Sequence, residues 1–400
     1  MKKNALFIAF IVLALRAICQ SEDFNQLPAL AWKFNAANAF VSAPIIDKGI
    51  VFIGSTDSNM YAIDINSGNI KWKFKSGGQI RSTACISNDK LYFVCGTGLC
   101  CVNKLDGKLL YNFKTHGEKQ YDVYDYFQSS PVINNGKLFF GSSDSCIYAL
   151  DLESQVLIWK YKTEGIVHNT FAFGKGMVFA GSYDGNVYAI HIESGKLAWK
   201  FKSLGHDFFA KGEMQFSPTY ANNRVYIGGR DYNLYALDAE KGFSHWNRAF
   251  PEGWVTSVTL SPRTDSVLLV GTSDPKVLLC VDGIYGQDIW KTDLKSNMFD
   301  KCTTTKGMLY AGLGNGKLCG IDRKTGKIEW VYATESYTAN RLQYLKEDDN
   351  DRDDIGSILK TGEDYITEEK KLGAIFSKPA IYENYIVFAS MNGSVYCLKK

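Results

Sequence analysis

Cys100 and Cys101 are adjacent thiols, the arrangement from which a vicinal disulfide or a thiol redox site is built. Their surroundings argue for packing instead. The pair aligns with Tyr61-Ala62 of an earlier repeat, within a strand whose successive side chains point to opposite faces. Cys101, Cys280 and Cys397 fall where other copies carry Ala, and Cys100 and Cys319 where others carry Tyr. The ten cysteines therefore read mostly as small core hydrophobes rather than as a disulfide framework. The run Asp348-Asp349-Asn350-Asp351-Arg352-Asp353-Asp354-Ile355-Gly356 offers alternating oxygen ligands for calcium. Its glycine comes late, and Lys360 stands where an EF-hand needs a bidentate Glu, so a solvated, mobile acidic loop is expected. His191 and His245 read as structural, and His116, His168 and His206 lie at or near connectors without metal-ligand spacing. No glycine-rich phosphate loop or nucleophile elbow occurs, and the Gly-Ser pairs at 54, 141 and 181 belong to turns. No catalytic, cofactor-binding or metal-ligating residue is assigned.

One acid recurs with fixed company. Asp64-x3-Gly68-x3-Trp72 returns as Asp238, Gly242, Trp246, as Asp282, Gly286, Trp290, and as Asp322, Gly326, Trp330. With one position changed it returns as His191, Gly195, Trp199 and as Asp151, Gln155, Trp159, and in a looser form as Asn103, Gly107, Tyr111. Seven copies in one register mark a repeat protein. A carboxylate that recurs ahead of a turn is expected to accept turn N–H groups rather than to do catalysis.

The elements that carry this motif are short. Each unit has four β-branched and aromatic runs separated by turn residues, as at 41–46, 50–54, 59–64 and 69–74, which spells a four-stranded antiparallel meander. Seven complete units reach Tyr332, and an eighth begins at Phe376 and is one strand short at Lys400. The orphan run Leu30-Ala31-Trp32-Lys33-Phe34 has the sequence of a unit's last strand and no unit before it. Pairing it with the eighth unit predicts an all-β, eight-bladed ring of four-stranded antiparallel blades, closed by its N-terminal strand. Closure removes the free sheet edges that template aggregation.

Residues 1–19 read as a signal peptide, with Lys2 and Lys3 ahead of an apolar run too short to span a membrane, and residues 20–400 as a single domain. The expected address is the periplasm, the outer-membrane periphery through a lipidated Cys19, or the exterior. Losing Lys2, Lys3 and Arg16 takes the formal charge from +3 to zero, and no concentrated basic face suggests nucleic acid. No later run has membrane length, and a monomer is expected.

Three connectors interrupt the repeat, at 115–127, 203–213 and, between blades seven and eight, the acidic insert 334–373 with eleven acids against six bases. All join one blade's last strand to the next blade's first, so they share one face of the ring. Loops on a rigid scaffold are where binding concentrates. Tyr121, Tyr124, Tyr126, Phe127, His206, Phe208 and Phe209 are the candidate partner-binding side chains.

The Asp-x3-Gly-x3-Trp copies resemble the PQQ-like, quinoprotein-type β-propeller repeats, over roughly 32–398. The resemblance implies that Trp32, Trp72, Tyr111, Trp159, Trp199, Trp246, Trp290 and Trp330 dock across interblade interfaces. Tyr111 departs from the docking Trp and Gln155 from the turn Gly. The repeat serves both quinone-dependent dehydrogenases and non-catalytic scaffolds. Length, export signal and blade count look like the scaffolds of outer-membrane protein assembly. They imply a non-enzymatic propeller with protein partners in the cell envelope and no cofactor. A PQQ-dependent dehydrogenase, in which Cys100-Cys101 would face the quinone, is one alternative. A small-ligand or glycan-binding propeller using the aromatics of 121–127 is another.

Overall fold

The computed structural model describes residues 23–250, 252–261 and 266–400. The signal segment and Cys19 lie outside the described residues. Eight four-stranded antiparallel sheets follow one another along the chain. The first blade comprises Ile45–Asp47, Ile50–Gly54, Asn59–Asp64 and Ile70–Lys75. Its middle strands are buried on both faces between neighbouring blades, while the outer strand buries little besides Trp72. The eighth blade takes Ala29–Asn35 as its outer strand, with Trp32 opposite Cys397 and Phe34 opposite Val395. The ring closes as the orphan strand predicted.

The recurrent motif works at each interface. The acid accepts turn N–H groups: Asp64 Oδ1 from Ser67 at 3.0 Å, Asp282 Oδ1 from Ile284 at 2.7 Å, and Asp322 Oδ1 from Thr325 at 2.8 Å. Each aromatic donates to a carbonyl of the following blade. Trp32 Nε1 reaches Ile65 O at 2.6 Å, Trp72 reaches Lys104 at 3.0 Å, Trp159 reaches Ile192 at 2.8 Å and Trp199 reaches Ala239 at 3.0 Å. Trp246 and Trp290 reach Gly283 and Arg323 at 3.2 and 3.3 Å, and Tyr111 Oη reaches Gln155 O at 3.0 Å. Trp330 has no third-to-fourth turn ahead of it, because the eighth blade's outer strand comes from the other end of the chain. Phe24 O takes the indole N–H instead, at 2.6 Å, and Phe24 N donates to Tyr310 Oη at 2.8 Å. Phe24 thus completes the interface where the ring is sealed, a role that no repeat pattern announces.

Two expectations need correction. The innermost strands are shorter than the apolar runs suggest: most ladders cover three residues, as at Ile45–Asp47 and Val132–Asn134. The residues just before them line the channel, and Pro44, Pro131, Pro218 and Pro379 there have no N–H to give a ladder. Side chains tie this segment instead, with Ser42 Oγ donating to Gly54 O at 2.9 Å and Ser129 Oγ accepting from Gly141 N at 2.8 Å. The acidic run 348–354 is mostly exposed loop, but the insert that carries it is folded rather than free. It folds into α1 (Glu335–Asn340), α2 (Ile355–Ile358) and α3 (Gly362–Leu372) around Tyr337, Tyr344, Leu345, Leu359 and Leu372. Its acids pair with cations, Asp351 with Lys276 at 2.7 Å and Asp349 with Lys317, both cations belonging to other blades.

Candidate functional site

The hairpins between second and third strands lie on the same face as the long connectors, as Thr115 N to Thr97 O and Ser76 N to Ser58 O show. On this face the chain crowds the mouth of its own channel, leaving beside the crowded aromatics a cavity lined by Arg81, Gln120, Asp122 and Lys370. Connector 115–127 descends into the mouth, where Tyr126 packs on Phe376 and Phe299 with ring centroids 4.5 and 5.2 Å away. Trp254, Phe216 and Met391 complete the plug, and α3 lies over it with Ile366 against the same cluster. Beneath it a channel cavity of about 220 Å³ is lined by Arg81, Thr83, Ser130, Thr170, Ser217 and Lys301 among others.

Buried polar groups fix the connector. Arg230 is fully buried; its guanidinium takes Asp122 bidentately, donates from Nε to Gln215 at 2.6 Å, and stacks 4.9 Å from the Trp254 ring. Gln215 in turn donates to Tyr124 O at 2.8 Å. Asp125 accepts from Tyr183 Oη at 2.8 Å and faces His168 Nδ1 at 2.9 Å, while Arg81 donates to its carbonyl. Burial works against both charges of the Asp125–His168 pair. Their mutual attraction outweighs it, holding the carboxyl below and the imidazole above their ordinary values. On α3, burial pushes the Glu369 carboxyl well up, and Tyr126 Oη donates to it at 3.1 Å.

Ser143, His168 and Asp125 form a line that resembles nucleophile, base and acid, with Ser143 Oγ 2.8 Å from Nε2. The chemistry does not follow. Ser143 Oγ donates to the Lys119 carbonyl at 2.7 Å, and the imidazole lies between the Asp125 and Glu118 carboxylates, which favour its charged form over a free base. The line is a latch for the connector.

Of the sequence-predicted partner residues, Tyr126 is buried in the plug, and Tyr124 and Phe127 are half-buried against it. Tyr121 is 38% exposed and donates to Glu213 at 3.1 Å. Phe209 packs on Trp254 and His206 stacks on Tyr232, leaving Phe208 81% exposed beside Leu204 at 70%. Sequence reading missed Arg230, Tyr183 and Ser143. They occupy one position, the third of Gly-Ser-Thr-Asp at 54–57, Gly-Ser-Ser-Asp at 141–144, Gly-Ser-Tyr-Asp at 181–184 and Gly-Gly-Arg-Asp at 228–231. A variable residue inside a constant turn was the available signal.

The adjacent cysteines that the dehydrogenase alternative would set against a quinone are not placed for it. Cys100 and Cys101 are divided between two interblade cores and neither faces the channel. Among the described residues no three His, Cys, Asp or Glu side chains are grouped to hold a metal ion. No helix among them is long and apolar enough to cross a membrane.

Comparisons agree with this architecture. A family model described as outer membrane protein assembly factor BamB matches residues 28–201, 143–260 and 252–346. The protein of that name from Shewanella oneidensis is 23% identical over 208 residues, 48% of this chain and 52% of that one. The Escherichia coli protein is 24% identical over 123 residues, 31% and 29% respectively. The chain thus spans about half, or less, of the length of the curated relatives it matches. The crystal structure of BamB from Moraxella catarrhalis superposes with a TM-score of 0.66 at 14% identity, covering 94% of this chain and 100% of that one. Quinohemoprotein alcohol dehydrogenase from Comamonas testosteroni gives 0.69 at 12% identity, covering 95% and 78%. At such identities the superpositions speak for the fold, whereas the family model covers most of the sequence: the chain belongs to the PQQ-like β-propeller family described as outer membrane protein assembly factor BamB.

Proposed function

We propose that the protein is an exported, non-catalytic scaffold of the periplasm or outer-membrane periphery that offers its connector face to a protein partner in outer membrane protein assembly. The observation that carries this reading is the plug. Much of the channel mouth is occupied by Tyr126, Phe299, Phe376 and Trp254 of the chain itself. This face leaves Phe208 and Leu204 exposed on a connector tied down by Phe209 and His206. The similarity to outer membrane protein assembly factors of Shewanella oneidensis and Escherichia coli supports the same reading. The glycan reading loses its platform, since Tyr126 is buried and Tyr124 half-buried in the plug.

The dehydrogenase alternative is tested by titrating purified protein with PQQ and calcium while following the quinone spectrum and dye-linked oxidation of alcohols and sugars. The scaffold reading expects neither a spectral change at micromolar cofactor nor turnover. Cofactor-dependent turnover would replace it.

A further inference from the structure

Four blades hold the hairpin between second and third strands with an acid and a tyrosine four residues apart. Tyr61, Tyr148 and Tyr188 donate to Asp57, Asp144 and Asp184 at 2.6, 2.6 and 2.7 Å, and Tyr235 donates to Asp231. The second blade has no such acid. Its hairpin is shorter, and cysteines occupy the positions of the bond's tyrosine and of the turn serine two residues before its acid. Cys100 stands opposite Phe93 as Tyr148 stands opposite Phe140, so it takes the tyrosine's place. Cys95 follows Val94 as Ser55 follows Gly54, so it takes the place of the turn serine. Both are buried on one face of the hairpin, with their Sγ atoms 2.8 Å apart, closer than two thiols rest in van der Waals contact. Cys101, on the opposite face, belongs to the next interblade core.

We propose that Cys95 and Cys100 are a disulfide site, a covalent staple standing where four other blades use an Asp–Tyr hydrogen bond. The inference rests on the exported reading, because such a bond persists in an oxidising compartment. The chemistry is a thiol–disulfide exchange with an oxidised dithiol or low-molecular-weight disulfide. The Cys95 thiolate attacks one sulfur of the oxidant and expels the other as a thiolate. Cys100, deprotonated, then attacks the mixed disulfide at Cys95 and releases the second thiolate. The protein loses two protons and two electrons, which the oxidant takes up to leave as two thiols. Cys95 suits the first step: the hydrogen bond from Cys100 Sγ, aided against burial by Thr97 and the Gly77 N–H, lowers its pKa, while the same contact raises that of Cys100.

The three thiols fall on one tryptic peptide, 91–104, so variants make the assignment. Reduced, unfolded protein is refolded in a glutathione redox buffer, quenched with acid, alkylated while denatured, digested and weighed. The wild-type peptide should carry one alkyl label and the Cys101→Ala peptide none. Cys95→Ser and Cys100→Ser peptides should each carry two. Ala at 101 and Ser at 95 are the residues other blades carry there, so these variants keep the fold, and the wild type and Cys101→Ala alone decide the matter. Three labels on the wild-type peptide, attached glutathione, or a link lost in Cys101→Ala and retained in Cys95→Ser would overturn the proposal. Because purified protein is used, a wrong address for the chain would leave this result untouched.

Discussion

Gly242 sits in the left-handed region at φ +76, and a Cβ there would stand 2.5 Å from the Trp199 ring of the preceding blade. The turn glycine is needed twice, for its backbone and for the ring that lies on it. Gly68, Gly107, Gly195 and Gly326 meet Trp32, Trp72, Trp159 and Trp290 in the same way. The two departures from the motif then explain each other, because they face each other: Tyr111 is the shortened dock and Gln155, at φ 60, the turn residue it meets. Restoring only the larger ring should overpack this interface. Tyr111→Trp is expected to cost about 1–3 kcal/mol in urea unfolding, and Tyr111→Trp with Gln155→Gly to recover most of it. Additive costs in the double mutant would mean that the departures are unrelated. Cys95 and Cys100 teach the same lesson, since each is ordinary core filler until the register shows them at a turn-serine and a tyrosine position with their sulfurs in contact.

At the scale of elements, α3 decides whether the connector stays in the channel. Burial, then Asp351, raises Glu368 to about 7 against the pull of Lys276, and burial raises Glu369 further. A carboxyl raised on folding contributes stability below its unfolded value, about 4.3, and loses it as pH rises through the folded value. The plug should therefore loosen from mildly acid to alkaline pH. Glu369→Gln keeps an acceptor for Tyr126 and removes the ionisation. Its Tm should exceed the wild type's at pH 8 and match it near pH 4, and an equal gap at both values would contradict this. The blades, their number and the closing strand were legible in the sequence because each rests on local alternation and a repeated turn. The helix α3 was legible in part, since Thr361-x-x-Asp364 forms a capping box and Gly373 a left-handed C-cap, both local signals that the acidic composition masked. The plug was not legible. Asp122 meets Arg230 and Tyr126 meets Glu369 across 108 and 243 residues, and no spacing rule spans such distances.

For the whole molecule, the repeat builds a rigid ring and places every interruption of the repeat on one face. That face packs aromatic side chains into the channel mouth and leaves Phe208 exposed on its connector. The opposite face carries the third-to-fourth turns, where Tyr285 is comparably exposed at 74%. The two positions allow the central claim to be tested by one measurement, photo-crosslinking in intact cells from position 208 and from position 285, with adducts identified by mass spectrometry. A scaffold that works through its connector face predicts adducts to an outer-membrane protein assembly component from position 208 and none to it from position 285. Equal adducts from both positions, or adducts from position 285 alone, would contradict it.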